Sequence, residues 1–151
     1  MIVWRLCREE YADLSGIGAS FYGGRWNSPG RPVIYTASNL ALAFVEIIPG
    51  LRKGVFPKGF VSLNIHIENS VSKKEINLSD FPHEEGEKKV NSWFTEEGDK
   101  WIDEKKELLL IVPSVIIPEE KNILINPHHP ELLSVKIKEI KPFTVDPRFI
   151  T

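Results

Sequence analysis

The chain has 151 residues, 42% of them apolar, with 19 basic and 21 acidic side chains and a formal net charge of −2. That length supports one domain with a buried core and no staples, and the charge balance argues against a bulk drive toward nucleic acid, which needs clustered excess Lys/Arg. The single cysteine, Cys7, excludes an intramolecular disulfide. With no leader pattern and no apolar run near the roughly 18 residues of a membrane helix, the expectation is a protein of the cytoplasm with no membrane partner.

Residues 2–7 read as a short strand, with Cys7 as a small core residue; a catalytic thiol would need a His partner and local positive charge. Residues 14–31 read as a loop rich in Gly, and residues 32–37 as a second strand. Ser38 is the expected N-cap of a helix over 39–48, apolar almost all round and therefore expected to be buried, ended by Pro49-Gly50. Residues 60–68 alternate, with Val61, Leu63, Ile65 and Ile67 facing one way, as in a half-buried strand; His66 lies on its polar face. Residues 84–106 read as one or two amphipathic helices with a break near Gly98. A strand over 107–112 follows, then an extended stretch at 115–118, a strand end and turn over 122–130, a short helix near 130–133 and a strand near 134–140. Irregular alternation with frequent Pro and Gly predicts an α+β domain spanning 1–151, a mixed sheet core flanked by helices.

Common motifs are missing. Gly16-Ile-Gly18-Ala-Ser-Phe21 lacks the third glycine of a dinucleotide fingerprint, and there is no phosphate-loop Gly-Lys-Ser/Thr and no Gly-x-Ser-x-Gly elbow. His128 and His129 are adjacent, so they point apart and do not make the i, i+4 metal pair; no metal site is expected. Glu46 is the only charged residue in its apolar helix. It is either a solvent-facing residue on one exposed line or a buried carboxylate that must be paired or used. Arg25, in Gly23-Gly24-Arg25-Trp26-Asn27, is either a surface Arg stacked on Trp26 or an anion ligand beside open backbone N–H groups. Tyr35 reads equally as a core aromatic, and Ser114, after Pro113, as part of a turn.

Together these segments resemble the RES family, named for Arg, Glu and Ser. The matching stretches, in order, are Gly-Ala-Ser-Phe-Tyr-Gly-Gly-Arg-Trp-Asn (18–27), Val-Ile-Tyr-Thr-Ala (33–37), Ala-Leu-Ala-Phe-Val-Glu (41–46), Gly-Asp-Lys-Trp-Ile (98–102), Val-Pro-Ser (112–114), Asn-Ile-Leu-Ile-Asn-Pro-His-His-Pro (122–130) and Phe-Thr-Val-Asp-Pro-Arg (143–148). Two departures stand out: a His that the family often carries soon after the Glu helix is replaced by Ile47-Ile48-Pro49-Gly50, and the chain is short for the family.

The resemblance implies an ADP-ribosyltransferase-like fold and a toxin that consumes NAD as substrate, requiring no cofactor. It puts Glu46, Arg25, Tyr35 and Ser114 in the catalytic set, with Gly24 and Asn126 beside Arg25 and Tyr35 around NAD. Glu46 would stabilise an oxocarbenium-like transition state, Arg25 would hold the pyrophosphate or neighbouring ribose, Tyr35 would stack on nicotinamide, and Ser114 would fix Glu46 or the ribose. It further implies an Xre-type helix-turn-helix antitoxin as partner, a homodimer, and no direct contact with nucleic acid. Water, phosphate or a protein side chain could accept the ADP-ribose. A protein ADP-ribosyltransferase shares every one of these residues, and a non-enzymatic binding module on the same fold is the third reading.

Overall fold

The computed structural model describes residues 1–52, 55–83 and 86–149. Its strands are β1 (Ile2–Arg8), β2 (Ile34–Ala37), β3 (Phe60–Ile67), β4 (Lys73–Glu75), β5 (Leu109–Pro113), β6 (Lys121–Ile125) and β7 (Val135–Pro142). Its α-helices are α1 (Ile17–Tyr22), α2 (Leu40–Ile47) and α3 (Glu87–Glu104). All seven strands join one sheet in the order β4-β5-β6-β2-β1-β3-β7. Only β4 and β5 run parallel, so the sheet is mixed and the class is α+β, as the irregular alternation implies.

Period-2 alternation divides the core between the two sheet faces. Val3, Cys7, Ile34, Leu63, Ile65, Leu109, Ile123 and Ile125 pack on one face, under Leu14 and Leu132 from irregular segments. The other face carries two smaller clusters. Leu110, Val112 and Leu124 pack under Phe94, Trp101 and Ile102 of α3, joined by Trp26. Leu6 and Ala37 pack under Leu42 and Ala43 of α2. The two longest helices therefore share a face, and the gap between them lies over β2 and the β5–β6 turn.

One joint in the sheet is slight. β1 pairs with β3 at every residue and β2 pairs with β6 at every residue, yet β1 and β2 meet at a single register pair, Trp4↔Ala37. Beyond it the Arg5 side chain bridges the strands, its Nη1 donating to the Tyr35 carbonyl at 3.3 Å.

Several expectations need correction. The N-cap of α2 is Asn39, not Ser38: Asn39 is extended (φ −151°, ψ 164°) and its Oδ1 accepts from the Leu42 N–H at 2.8 Å, whereas the Ser38 N–H is spent on the Lys121 carbonyl. The helix is half-buried rather than enclosed, because one side rests on the sheet and Ala41 faces out. Helix α3 runs unbroken for 18 residues through Gly98. Residues 115–118 bend into a turn, and the Gly-rich stretch encloses α1. Strand β4 has no apolar alternation to betray it; it is held by pairing with β5 and by Ser72, whose Oγ accepts from Leu108 N–H at 2.9 Å.

Candidate active site

Glu46 lies in the last turn of α2, above the turn that joins β5 to β6. Its Oε1 accepts two hydrogen bonds, from Ser114 Oγ at 2.5 Å and from Asn122 Nδ2 at 2.7 Å. No described residue donates to its Oε2. Ser114 is fully buried and its placement is fixed locally. Its N–H closes the hairpin turn on the Glu120 carbonyl at 2.9 Å, and its Oγ accepts from the Ile116 and Ile117 N–H groups at 3.1 and 3.0 Å. With both acceptor positions used, the one hydroxyl proton points to Glu46. Asn122 stands opposite Val112 in the β5–β6 ladder, on the same face as Leu124 and Tyr35. Glu46 is thus a half-buried carboxylate held in place, not a solvent-facing bystander.

Arg25 is held differently. It sits at the tip of a tight turn closed by the Gly24 N–H on the Asn27 carbonyl at 3.0 Å. Its exposed guanidinium makes no ion pair with any described residue and lies 5.4 Å from the Phe94 ring centroid, within cation–π range. The backbone beneath it is fixed. Thr95 Oγ1 donates to the Arg25 carbonyl at 3.2 Å, and Asp99 accepts from the N–H and hydroxyl of Ser28 at 2.9 and 2.5 Å. Arg31 forks onto Asp103 at 3.0 and 2.9 Å and reaches Asp99 at 3.5 Å. The buried Trp26 stacks edge-on against Phe94 at 5.0 Å.

Gly98 explains how close this approach is. A Cβ at Gly98 would stand 1.7 Å from the Trp26 carbonyl oxygen, so only glycine lets the loop lie on α3. The residue that reads as a helix break is instead a seat. Gly24 has the same character toward Tyr35, whose hydroxyl would be 2.8 Å from a Cβ there.

Tyr35 joins loop to sheet. Its hydroxyl donates to Asn27 Oδ1 at 2.6 Å and accepts from the Trp26 N–H at 3.1 Å. Asn27 is itself buried, and its Nδ2 donates to the carbonyls of Ala19 and Arg31 at 2.9 and 2.8 Å. Burial pushes the Tyr35 phenol well above its ordinary range, so it stays protonated and serves as a donor, not a base.

The two walls enclose a cleft of ≈ 60 Å³ lined by Arg25, Trp26, Tyr35, Glu46, Asn122 and Leu124 among others. Arg25 also borders a wider groove of ≈ 330 Å³ with Gly24, Asn91 and Thr95. The inner cleft is small, with room for only a few waters.

Of the expected residues, Arg25, Tyr35, Glu46 and Ser114 come together and Gly24 borders the groove. Asn126 stands apart: it is buried just past the end of β6, about 13 Å beyond Asn122, where its Nδ2 donates to the Ile102 carbonyl at 3.1 Å and its Oδ1 accepts from the His128 N–H at 3.0 Å. Sequence reasoning missed Asn122, Asn27 and Asp99. For Asn122 a signal existed, because polar residues bracket the apolar run Asn-Ile-Leu-Ile-Asn and the one nearer Ser114 is the one that reaches Glu46. Among the described residues no His lines the cleft; Ile48 and Pro49 belong to a 3₁₀ turn over Ile48–Gly50, after the Glu46 helix.

A family model described as "RES domain" matches residues 2–146. The chain is 36% identical over 156 residues to a Sphingobium protein named "Prs ADP-ribosylating toxin", covering 97% of this chain and 95% of that one. It is 35% identical over 150 residues to a "Toxin Res" of Pseudomonas putida, covering 98% and 99%. Beside these relatives the chain is not short. A chain from the crystal structure of the M. tuberculosis MbcT–MbcA toxin–antitoxin complex has the same fold, with a TM-score of 0.73 at 16% identity over 99% of this chain and 86% of that one. The family model spans both walls of the cleft and the sheet that carries them, and the chain belongs to the RES domain family.

Proposed function

We propose that this protein is the toxin of a toxin–antitoxin pair, acting in the cytoplasm by cleaving the bond between nicotinamide and ribose in NAD, with water or phosphate as acceptor. One observation carries the reading: among the described residues Glu46 is fixed through Oε1 alone, which leaves Oε2 for a ligand in a cleft that also holds Arg25, whose guanidinium has no ion pair with any described residue. Nicotinamide leaves as a neutral group from a cationic ring, taking the bonding electron pair, so departure needs no general acid. The anomeric carbon left behind develops oxocarbenium character, and a preorganised carboxylate in a half-dry cleft stabilises it. An oxygen of water or phosphate then bonds to that carbon, giving ADP-ribose and a proton or ADP-ribose 1″-phosphate.

Arg25 borders both the inner cleft and the wider groove, so it suits the pyrophosphate, with the ribosyl-nicotinamide half toward Glu46 and the adenosine half along Asn91 and Thr95. Tyr35 contributes a ring to the cleft wall and uses its hydroxyl to hold the loop. No resident cofactor enters this chemistry. The partners that follow are an Xre-type antitoxin and a second copy of the chain. The relatives' names and the complex containing the structural neighbour support the antitoxin.

The name of the Sphingobium relative favours a second reading, in which a protein side chain accepts the ADP-ribose. The bond broken and the roles of Glu46 and Arg25 are unchanged. Purified protein incubated with NAD, with and without phosphate, separates the two: free ADP-ribose or its 1″-phosphate supports degradation, whereas label passing from NAD to a protein band supports transfer. Glu46→Gln keeps an acceptor oxygen for Ser114 and Asn122 but lacks the charge. It is expected to stay folded and to lose about 10²–10³-fold in turnover; undiminished nicotinamide release would remove Glu46 from the chemistry.

A further inference from the structure

Asn126 and His129, from the run Asn-Pro-His-His-Pro, lie outside the cleft, yet both reach the C-terminal end of α3. Helix α3 ends at Glu104, so the Ile102 carbonyl has no donor within it. Asn126 Nδ2 supplies one at 3.1 Å. The other polar atoms of this fully buried residue are spent as well: its N–H on the Leu108 carbonyl at 2.9 Å, its carbonyl on the His129 N–H at 3.2 Å and its Oδ1 on the His128 N–H at 3.0 Å. Asn126 therefore bears on a ligand only through what it holds. His129 is oriented too. Its Nδ1 accepts from the Glu131 N–H at 3.1 Å, so the neutral ring carries its proton on Nε2, which faces the Lys106 carbonyl at 3.3 Å just past the helix end.

Apolar packing of Phe94, Trp101 and Ile102 holds α3 down on the sheet but has no direction; the two side-chain bonds at its end do. The same helix carries the Arg25 loop on Thr95, Gly98, Asp99 and Asp103. Strand β6 thus meets both walls: Asn122, inside it, bonds Glu46, and Asn126, just past its end, bonds α3. We infer that Asn126 and His129 are positioning residues that fix α3 along the sheet and, through it, the place of Arg25 relative to Glu46. The effect on catalysis rests on the NAD reading given above.

Two substitutions keep the local turn and remove the reach to α3. Asn126→Ser retains an acceptor for the His128 N–H, and His129→Asn retains one for the Glu131 N–H; neither new side chain is long enough for the α3 end. Each is expected to raise KM for NAD by about tenfold with kcat within about twofold of wild type, because Glu46 is undisturbed. In an Arg25→Ala background the same substitutions are expected to add nothing to KM. Hydrogen exchange is expected to quicken at the Gly24 and Asn27 amides and to stay unchanged at Ser114. A merely structural role would lower kcat and the thermal midpoint together and leave KM alone; that result overturns the inference, as does an equal rise in KM with and without Arg25. If Asn126→Ser does not fold, His129→Asn decides by the same readings. Absence of nicotinamide release by the wild type is a separate outcome that overturns the NAD reading. Exchange then decides the clamp alone, and unchanged exchange in the Arg25 loop overturns it.

Discussion

The two walls of the cleft hold their charged groups in opposite ways. On the α2 side the carboxylate itself is gripped: Ser114 and Asn122 donate to one oxygen of Glu46, and the backbone around them is an ordinary hairpin turn. On the α3 side the charged group is loose and the backbone beneath it is gripped, by Thr95, Asp99, Arg31 and the contact between Gly98 and Trp26. A group that must meet charge developing at one atom gains from a fixed position. A group that must follow a flexible pyrophosphate gains from a mobile tip on a rigid base. The difference teaches that order around a functional charge can be built into the side chain or into its platform.

The largest way to break the comparison is Gly98→Ala. The added methyl would overlap the Trp26 carbonyl, so the loop must lift from α3. Overpacking of this kind costs about 1–3 kcal/mol and occasionally more, against which the gain in helix propensity of about 1 kcal/mol is small. A lower thermal midpoint with weakened NAD binding is expected; an unchanged midpoint would mean that α3 is not the platform. Arg25→Ala takes the tip and spares the base. It is expected to weaken NAD binding by about 1.5–3 kcal/mol, the worth of a charge-assisted contact, with little change in unfolding; calorimetric titration reads the first and a denaturant curve the second.

Tyr35→Phe is subtler. It leaves the buried Asn27 Oδ1 without its donor, at a cost of about 1–3 kcal/mol in stability measured by denaturant unfolding. It also sharpens the pH behaviour. The folded chain keeps the Tyr35 proton to higher pH than the unfolded chain, whose phenol titrates near about 10. The stability associated with the neutral phenol is therefore fully present below that pH and is lost as pH rises toward the folded value. The variant is expected to lack this part of the alkaline decline; an identical slope in both proteins would show that Tyr35 does not cause it.

Much of this was legible in the sequence, for reasons that differ by residue. The alternation from Val61 to Ile67 and the apolar run of β5 follow from burial on a sheet, and both strands form where expected. Glu46 stood out because a charge inside an apolar helix needs an explanation, although pattern alone favoured a solvent-facing residue. Arg25, Tyr35 and Ser114 were ambiguous taken singly and were gathered by family resemblance. What stayed hidden depends on contacts between distant segments. Nothing local in Gly98 says that Trp26, far back in the chain, lies against it. Nothing in Lys73–Glu75 signals a strand whose partner lies beyond residue 108. Asn122 and Asn126 look alike on paper, and only the sheet register decides which one meets the carboxylate.

The slight joint between β1 and β2 gives the Glu46 hydrogen bonds another meaning. Helix α2 rests chiefly on β1, while Ser114 and Asn122 belong to the β5–β6 hairpin on the far side of that joint. The two bonds to Glu46 therefore work as rivets between two leaves of the sheet, beside the Trp4↔Ala37 pair and the Arg5 bridge to the Tyr35 carbonyl. The carboxylate to which the proposed function assigns the chemistry is also a fastener between α2 and the β5–β6 hairpin.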